Sequence, residues 1–373
     1  MSVPGNQFIN YKFFLMRMKS TCFAFVYIFF ANTVFSQPVV TVNNTPGETA
    51  NYRTLQGALD SVNDGTIILL QPGPVSYGDV TIRKQVSIVG AGYFLGLNPE
   101  PFTQANLQSS ITGSILFDTL SNGSQVTGLS INGSTPLQFS RTSNVIVSRC
   151  LVSPFHGTGL SSVYRSSGIK MKQCFFWTNL TYNPTICFAR EATGIEFHNS
   201  IFLHGNPSVY SYMLPSEYFT SYTSSILFKN NVIINPGNEA YYPAANTFIN
   251  NIVFRLISGS APPLQCVSAD RNLGNLDYAA AGGVNNTTAV YSDVFLLNTG
   301  PVAYGPDGKY QLKTGSPAIG FGQGGVDCGA FGGTGAYVLS GIPLIPHIYL
   351  AELNGVPTTS GGLKLRLKVK ANQ

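Results

Sequence analysis

Charged side chains are scarce in this chain of 373 residues, because lysine, arginine, aspartate and glutamate together make up only 10% of it. An average soluble domain carries about 25% of these residues. A helical protein needs them to solvate the outer faces of its helices, whereas a β protein covers itself with serine, threonine, asparagine and tyrosine. The composition therefore favours an all-β fold and argues against a helical one.

Cysteine gives no framework for disulfides or metals. Five cysteines follow the N-terminal apolar region, and they are widely spaced: Cys150, Cys174, Cys187, Cys266 and Cys328. An odd number without short spacings matches neither a disulfide scaffold nor a zinc site. We therefore expect buried thiols at stacked core positions rather than bridges. The sequence indicates no metal and no cofactor.

The N-terminus has the order of charges and apolar residues that is typical of a secretory signal. Lys12, Arg17 and Lys19 precede an apolar run at 22–34, and residues 34–36 include small side chains. This pattern predicts a signal peptide over 1–36 and a protein that is secreted or held at the cell surface. The apolar run is too short for a membrane span, so we expect no transmembrane segment in the mature chain.

Met18 opens a more conventional signal than Met1 does, so the start codon is left open between them. Removing residues 1–36 also removes three basic residues and no acidic ones, which leaves a nearly neutral chain. Nothing in this charge balance indicates a nucleic-acid partner.

A recurring phrase is the most informative feature of the chain. Each copy has a small residue, two alternating apolar residues, a polar turn and a second apolar run. Full copies occur at 143–151, 167–175, 193–201 and 224–232, with weaker ones at 128–132 and 246–252. Because side chains alternate along a strand, the two apolar residues of each copy point to one side. A constant phrase with variable spacing is typical of a solenoid whose loops differ in length.

The polar turn of the phrase carries its own prediction. Asn230 and Asn231 occupy the same turn as Asn250 and Asn251 in the next copy. Asparagines that repeat at one corner of a solenoid are expected to stack and to hydrogen-bond along its axis.

Two segments frame the solenoid, which we place at 37–335. Residues 52–62 have apolar side chains at helical spacing, which predicts a short N-terminal capping helix. Residues 336–373 are expected to form a C-terminal β cap or attachment strands. Within them, leucines and a valine alternate with basic residues from 363 to 370, as in an amphipathic strand whose charges discourage edge pairing.

The stretches at 54–92 and 307–333 resemble the opening and the closing segments of the pectin-lyase-like superfamily. The resemblance covers most of 50–335, and is strongest to pectin methylesterases and to uncharacterised exported bacterial β-helix proteins. It implies an all-β, right-handed parallel β-helix. It does not imply an activity, because this fold carries hydrolases, lyases, esterases and non-enzymes.

The catalytic motifs of that superfamily are not found in this sequence. The paired aspartates of pectin methylesterases and of polygalacturonase-type hydrolases have no counterpart, and only the partial phrases at 155–157 and 168–170 remain. Hydrolysis of a glycosidic bond needs two carboxylates that flank the bond. Calcium-dependent lyases need clustered acidic residues, and the sequence has no such cluster.

A charged group is the first candidate site. If the apolar positions face inward, then Lys170, Lys172, Glu196, His198 and Lys229 face outward on neighbouring turns, about 4.8 Å apart. Of these, Lys172, Glu196 and His198 are the candidate catalytic residues, since such a group would bind an acidic sugar or remove a proton beside its carboxylate. The alternative is an ordinary solvated face with a Lys170–Glu196 ion pair.

Aromatic side chains are the second candidate site. Aromatic rings stack on sugar rings, and loops on successive turns emerge on the same side of a solenoid. The glycan-binding candidates are Trp177, Tyr182, Tyr210, Tyr212, Tyr218, Tyr241 and Tyr242. The alternative is that these rings pack on one another and cover the core.

The leading functional hypothesis is an exported, non-catalytic β-helix protein that binds a polysaccharide or cell-surface glycan, or that acts as an interaction scaffold. It rests on the fold and on the lack of carboxylate pairs. The alternative is a polysaccharide lyase or glycoside hydrolase with a non-standard active site at Lys172, Glu196 and His198. A purely structural surface protein is a third possibility, and the sequence leaves the glycan and the oligomeric state open.

Overall fold

Short parallel strands dominate the computed structural model, which describes residues 37–99, 110–154, 161–178, 188–205, 226–235, 246–256, 266–276, 284–300, 302–354 and 364–370. The strands are β1 (Val39–Val42), β2 (Thr66–Leu70), β3 (Val80–Ile82), β4 (Val86–Val89), β5 (Ser110–Thr112), β6 (Ile115–Phe117), β7 (Gln125–Thr127), β8 (Leu129–Ile131), β9 (Leu137–Ser140), β10 (Ile146–Ser148), β11 (Leu151–Val152), β12 (Ser161–Tyr164), β13 (Lys170–Lys172), β14 (Phe175–Thr178), β15 (Phe188–Arg190), β16 (Ile195–His198), β17 (Ile201–His204), β18 (Ile226–Lys229), β19 (Val232–Ile234), β20 (Asn246–Ile249), β21 (Ile252–Phe254), β22 (Ser268–Asp270), β23 (Leu273–Gly274), β24 (Thr287–Thr288), β25 (His347–Asn354) and β26 (Lys364–Lys370). The helices are α1 (Leu55–Ser61), α2 (Tyr291–Val294) and the 3-10 turns Gly308–Tyr310, Gln323–Gly325 and Leu339–Gly341.

Three parallel sheets form the solenoid. Sheet A has the order β1-β2-β4-β7-β10-β13-β16-β18-β20-β22, sheet B has β15-β12-β9-β6-β3, and sheet C has β24-β23-β21-β19-β17-β14-β11-β8-β5. From β4 to β15 successive strands visit sheets A, C and B in turn, as β10, β11 and β12 do before β13 returns to sheet A. From β16 to β23 the described strands alternate between sheets A and C. This confirms the right-handed parallel β-helix, whose hand is the one that twisted strands favour in parallel crossovers.

The inner core consists of the apolar positions that the repeated phrase predicted. In sheet A, Val147 aligns with Met171, then Phe197, Phe228 and Phe248 along the axis, and all five are fully buried. The rings of the three phenylalanines stack nearly parallel, with centroids 5.1 Å and 4.9 Å apart. Such stacks add about 0.5–1.5 kcal/mol per pair beyond burial.

An asparagine ladder lies at the inner side of the corner between sheets A and C. The Asn251 carboxamide oxygen accepts from the backbone N–H and the side-chain amide of Asn231, at 2.9 and 3.0 Å. Its amide group donates to the backbone oxygen of Phe228 and to Asn272 Oδ1. Asn272 bonds to Asn286 in the same way. The predicted stacking of amides along the axis is therefore confirmed.

The predicted N-terminal helix is confirmed as α1. Thr54 caps it by accepting a hydrogen bond from the Gly57 N–H, and Leu55, Ala58 and Leu59 are buried against the first turns of the solenoid. No helix among the described residues is long and apolar enough to span a membrane. The expected signal peptide at 1–36 lies outside the described residues and stays a prediction.

Sheet C is apolar on both faces. Phe176 and Phe202 face the inner core, while Phe175, Ile201 and Val232 form a second buried cluster on the outer side. The chain after the last solenoid strand covers this outer face with Phe295, Tyr310, Ala318, Cys328, Ala330 and Tyr337. A sheet that is buried on both faces needs continuous apolar runs, and β14, β17, β19 and β21 have them.

The far C-terminal strands β25 and β26 pair with each other as an antiparallel hairpin. The predicted alternation is present in β26, where Leu367 and Val369 alternate with basic residues. Cys150, Cys174, Cys266 and Cys328 are buried thiols, as expected, while Cys187 lies outside the described residues. Burial raises the pKa of the Cys266 thiol to about 11, so this thiol stays protonated at neutral pH.

Replacing Asn251 with alanine tests the asparagine ladder. The substitution removes the acceptor of two Asn231 donors and the side-chain donor to the Phe228 carbonyl, all in a fully buried position, while Asn272 Oδ1 keeps only its bond from the backbone N–H of residue 251. We expect a loss of about 3–5 kcal/mol in the free energy of unfolding, measured by urea denaturation. The exposed Asn51, which accepts two hydrogen bonds from Thr41, is the control. Equal losses of unfolding free energy in Asn251→Ala and Asn51→Ala would show that the ladder contributes no more to stability than an exposed asparagine does.

Candidate functional site

The charged residues predicted from the sequence lie side by side on the outer face of sheet A. Lys172 of β13 aligns with His198 of β16, and His198 aligns with Lys229 of β18. In the neighbouring column, Lys170 aligns with Glu196. The predicted outward orientation of all five side chains is confirmed by their burial, since none of them is buried while the alternate residues are.

Glu196 is held by two of these residues. Its Oε2 lies 2.8 Å from His198 Nε2 and 3.2 Å from Lys170 Nζ. Partial burial acts to raise the pKa of the Glu196 carboxyl, but the hydrogen bonds and charges of His198 and Lys170 outweigh it and lower the pKa. Glu196 is therefore an ionised group that orients the His198 ring. The ammonium group of Lys172 has no hydrogen-bond or ion-pair partner in the described part of the chain.

The outer side of the corner between sheets A and C carries a second column, which we call the corner column. Its residues have φ between 46° and 57°, and they are Arg149, Gln173, Asn199, Asn230, Asn250 and Arg271. This left-handed backbone costs roughly 1–2 kcal/mol for a residue other than glycine. The conformation turns each side chain outward, away from the ladder.

The corner column holds a C-terminal segment, residues 321–345, which we call the strap. Asn199 Nδ2 donates to the backbone oxygens of Ala330 and Gly332, at 3.1 and 2.7 Å. Gln173 Nε2 donates to those of Gly335 and Ala336. The strap thus runs along the solenoid with its backbone carbonyls hydrogen-bonded to side chains of successive turns.

Arg149 and Gly128 hold the end of the strap. Arg149 Nη1 donates to the Ile342 carbonyl at 2.8 Å. Gly128 occupies the equivalent corner one turn earlier with φ of 71°, and a Cβ there would lie 2.5 Å from Cγ of Pro343. Only glycine allows both this backbone conformation and this close approach.

A groove of about 1000 Å³ lies between sheet A and the strap. Thr127, Ser148, Lys172 and His198 line it from sheet A, and residues 334–338 and 343–345 line it from the strap. A smaller pocket of about 280 Å³ continues it past His198 to Lys229 and Asn250. The structure therefore places Lys172 and His198 in a cleft rather than on an open face, with Glu196 behind His198.

Arg149 supplies a buried cation to this groove. The residue is only 6% exposed, and its guanidinium bonds to two neutral groups, the Ile342 carbonyl and Gln173 Oε1. It forms no ion pair with a carboxylate in the described part of the chain. Burial lowers the pKa of the Arg149 guanidinium. A buried charge without a counterion is unfavourable, so this groove is suited to an anion.

Acidic side chains do not line the groove. Neither aspartate nor glutamate is present among the described residues that line the groove or the smaller pocket. Within the described ranges there is also no group of three or more histidine, cysteine, aspartate or glutamate residues that could hold a metal ion. The described lining of the groove therefore has basic side chains, but not the two flanking carboxylates of a glycoside hydrolase.

Of the aromatic candidates, Trp177 is the one that the structure describes, and it does not line the groove. Trp177 lies on β14 of sheet C and is 37% exposed. Tyr182, Tyr210, Tyr212, Tyr218, Tyr241 and Tyr242 lie outside the described residues. The aromatic glycan-binding surface therefore stays a prediction.

Sequence reasoning missed Arg149, Gln173 and Asn199. Each is the polar turn residue that precedes the inward corner residue of its copy, so their common position was visible in the repeats. Their role was not visible, because their partners in the strap lie more than a hundred residues further along the chain.

Comparisons with known proteins add two remote structural similarities. No protein-family model matches the chain, and no curated protein matches it. The crystal structure of pectate lyase Pel9A is 14% identical and covers 80% of this chain and 97% of its own, with a TM-score of 0.44. The crystal structure of an alginate lyase from Paenibacillus sp. str. FPU-7 is 14% identical and covers 63% of this chain and 96% of its own, with a TM-score of 0.33.

Replacing Asn199 with glycine tests the attachment of the strap. Glycine accepts the φ of 46° but removes both hydrogen bonds to the strap. We expect backbone amides at 329–337 to exchange hydrogen about tenfold faster, since the two lost bonds contribute about 1–2 kcal/mol. Asn285→Gly is the matched control, because Asn285 has φ of 58° and an exposed side chain that bonds to Asp270 rather than to the strap. Unchanged exchange in Asn199→Gly would show that the corner column does not hold the strap.

Proposed function

We propose that this protein binds an acidic glycan in the groove between sheet A and the strap. The observation that carries the proposal is Arg149, a buried residue that lines the groove together with Lys172 and His198 and whose guanidinium forms no ion pair with a carboxylate in the described residues. A carboxylate or sulfate on the glycan would supply the missing counterion. Arginine is well suited to this, because its planar group binds a carboxylate through two parallel hydrogen bonds.

The shape and position of the basic side chains support a chain-like ligand. Lys172, His198 and Lys229 follow one another on adjacent strands, about 4.8 Å apart along the axis. The groove and the smaller pocket share His198, Asn199 and Thr334, so they form one continuous cleft. A row of basic side chains in a cleft fits a polymer with repeated negative charges better than it fits a single small anion.

Comparing how the wild-type protein and the Lys172→Gln variant bind acidic polysaccharides tests this proposal. We expect the wild-type protein to bind polygalacturonate, polymannuronate or chondroitin sulfate, and not neutral dextran, by isothermal titration calorimetry. Loss of the Lys172 charge should weaken binding about tenfold, the cost of one charge-assisted hydrogen bond. The affinity should also fall as the salt concentration rises.

Lys170→Gln is the matched control for Lys172→Gln. Lys170 lies on the same strand and faces the same way, but it does not line the groove and its charge is already paired with Glu196. We expect its loss to change the affinity by less than about twofold. If the wild-type protein bound none of the three acidic polymers, or bound dextran equally well, the proposal would be wrong.

A second candidate function is the eliminative cleavage of a polyuronate, and the geometry of His198 favours it. Its Nε2 is engaged by Glu196, which leaves Nδ1 as the nitrogen that is free to act as a base. Nδ1 would take the proton beside the uronate carboxylate, whose charge Arg149 and Lys172 would neutralise. The electron pair would form a C4–C5 double bond as the glycosidic C4–O bond breaks, and the leaving oxygen would take a proton from water.

His198→Ala distinguishes cleavage from binding alone. If the protein is a lyase, the ultraviolet absorbance of unsaturated uronate should increase with the wild-type enzyme and with Lys170→Gln. It should not increase with His198→Ala, because removal of a general base costs about 10²–10⁴-fold in rate. No absorbance change with any acidic polymer, together with intact binding, would leave the protein a non-catalytic glycan binder.

A further inference from the structure

The two ends of the groove differ in chemistry. The end at β13 and β16 has the basic side chains of Lys172 and His198, and Arg149 lies next to it, at the corner that follows β10. The end at β4, β7 and β10 has the neutral polar residues Gln125, Thr127 and Ser148, together with a set of apolar side chains. That set comprises Val89 and Ile146 from sheet A and Val338, Pro343, Leu344 and Ile345 from the strap.

The apolar end is open to solvent. Leu344 is 59% exposed and Ile345 is 42% exposed, although both line the groove. Ile146 is half-buried, in the column that contains Lys170 and Glu196 on the next two strands. Exposed apolar side chains that are grouped in a cleft indicate a surface that a ligand covers.

The apolar end and the basic end belong to one continuous cleft. Val89, Thr127 and Ser148 occupy the same outward column as Lys172, on β4, β7, β10 and β13. Three strand spacings of about 4.8 Å separate Val89 from Lys172, or about 14 Å in all. One oligosaccharide lying along the axis would therefore contact both ends.

We propose, building on the proposed function, that the groove recognises an acidic glycan whose sugars carry acyl groups. The carboxylate of one unit lies at Arg149, Lys172 and His198. The acyl group of a unit further along lies against Ile146, Leu344 and Ile345. An acyl ester on a hydroxyl adds apolar surface and leaves the carboxylates charged. It therefore packs against the apolar end of the groove without weakening the contacts of the carboxylates at the basic end.

This arrangement also determines the direction in which the oligosaccharide lies in the groove. Placing a carboxylate against Leu344 and Ile345 would desolvate a charge without giving it a partner, which is unfavourable. Placing an acyl group against Arg149 would leave the buried guanidinium without a counterion. The ligand therefore enters with its charge towards β16 and its acyl group towards β4.

O-acetylated oligosaccharides and their deacetylated forms test this inference, because the two carry the same number of carboxylates. Mannuronate and galacturonate oligosaccharides of equal length would each be titrated with and without O-acetyl groups. We expect the acetylated form of one of them to bind about tenfold tighter, equivalent to about 1.4 kcal/mol. The Leu344→Ser/Ile345→Ser double variant should lose this preference and keep its affinity for the deacetylated form within about twofold.

Val75→Ser is the control for the double variant, because Val75 is 60% exposed and lies outside the groove. It should keep the preference for the acetylated form. Equal affinity for both forms, or no effect of the double variant, would overturn the inference. If the wild-type protein bound both forms equally and this binding depended on Lys172, the proposed function would still stand. If the wild-type protein bound neither form, the proposed function itself would be contradicted.

Discussion

The two-residue corner between sheets A and C is the constraint on which the rest of this structure depends. One residue of each corner adopts a left-handed backbone and points outward, and the next points inward. From Asn231 to Asn286 the inward residues form the asparagine ladder, whose amides satisfy one another from turn to turn. The outward residues hold the strap. The strain of the left-handed backbone is thus offset by hydrogen bonds on both sides of the corner.

The strap follows from the composition of sheet C. Because its outer face carries Phe175, Ile201 and Val232, a solenoid without a cover would expose a large apolar surface. The chain after β24 covers this face and then passes over the corner, where it becomes the second wall of the groove. The hydrophobic effect therefore places the segment, and the corner column sets its register along the axis. The groove results from both.

The sequence was sufficient to predict what depends on neighbouring turns. The inward positions, the ladder of Asn231 and Asn251, and the adjacency of Lys172 and His198 all follow from aligning one repeat with the next, and the structure confirms them. The groove could not be predicted in this way. Its strap wall lies between 162 and 193 residues from the corner residues that hold it, and no repeat relates the two. Arg149 was read as a turn residue for the same reason.

In the proposed function, Arg149 would link the strap to an anion bound in the groove. One side of its guanidinium is bonded to the Ile342 carbonyl and Gln173, which fixes its position before a ligand arrives. A preorganised cation loses little side-chain entropy on binding, so an anion gains more from it than from a mobile surface lysine. The coupling is reciprocal: an anion that binds only when the strap is in place must stabilise the docked strap by the same free energy. In such a site, the one side chain of Arg149 would both bind the ligand and keep the strap docked.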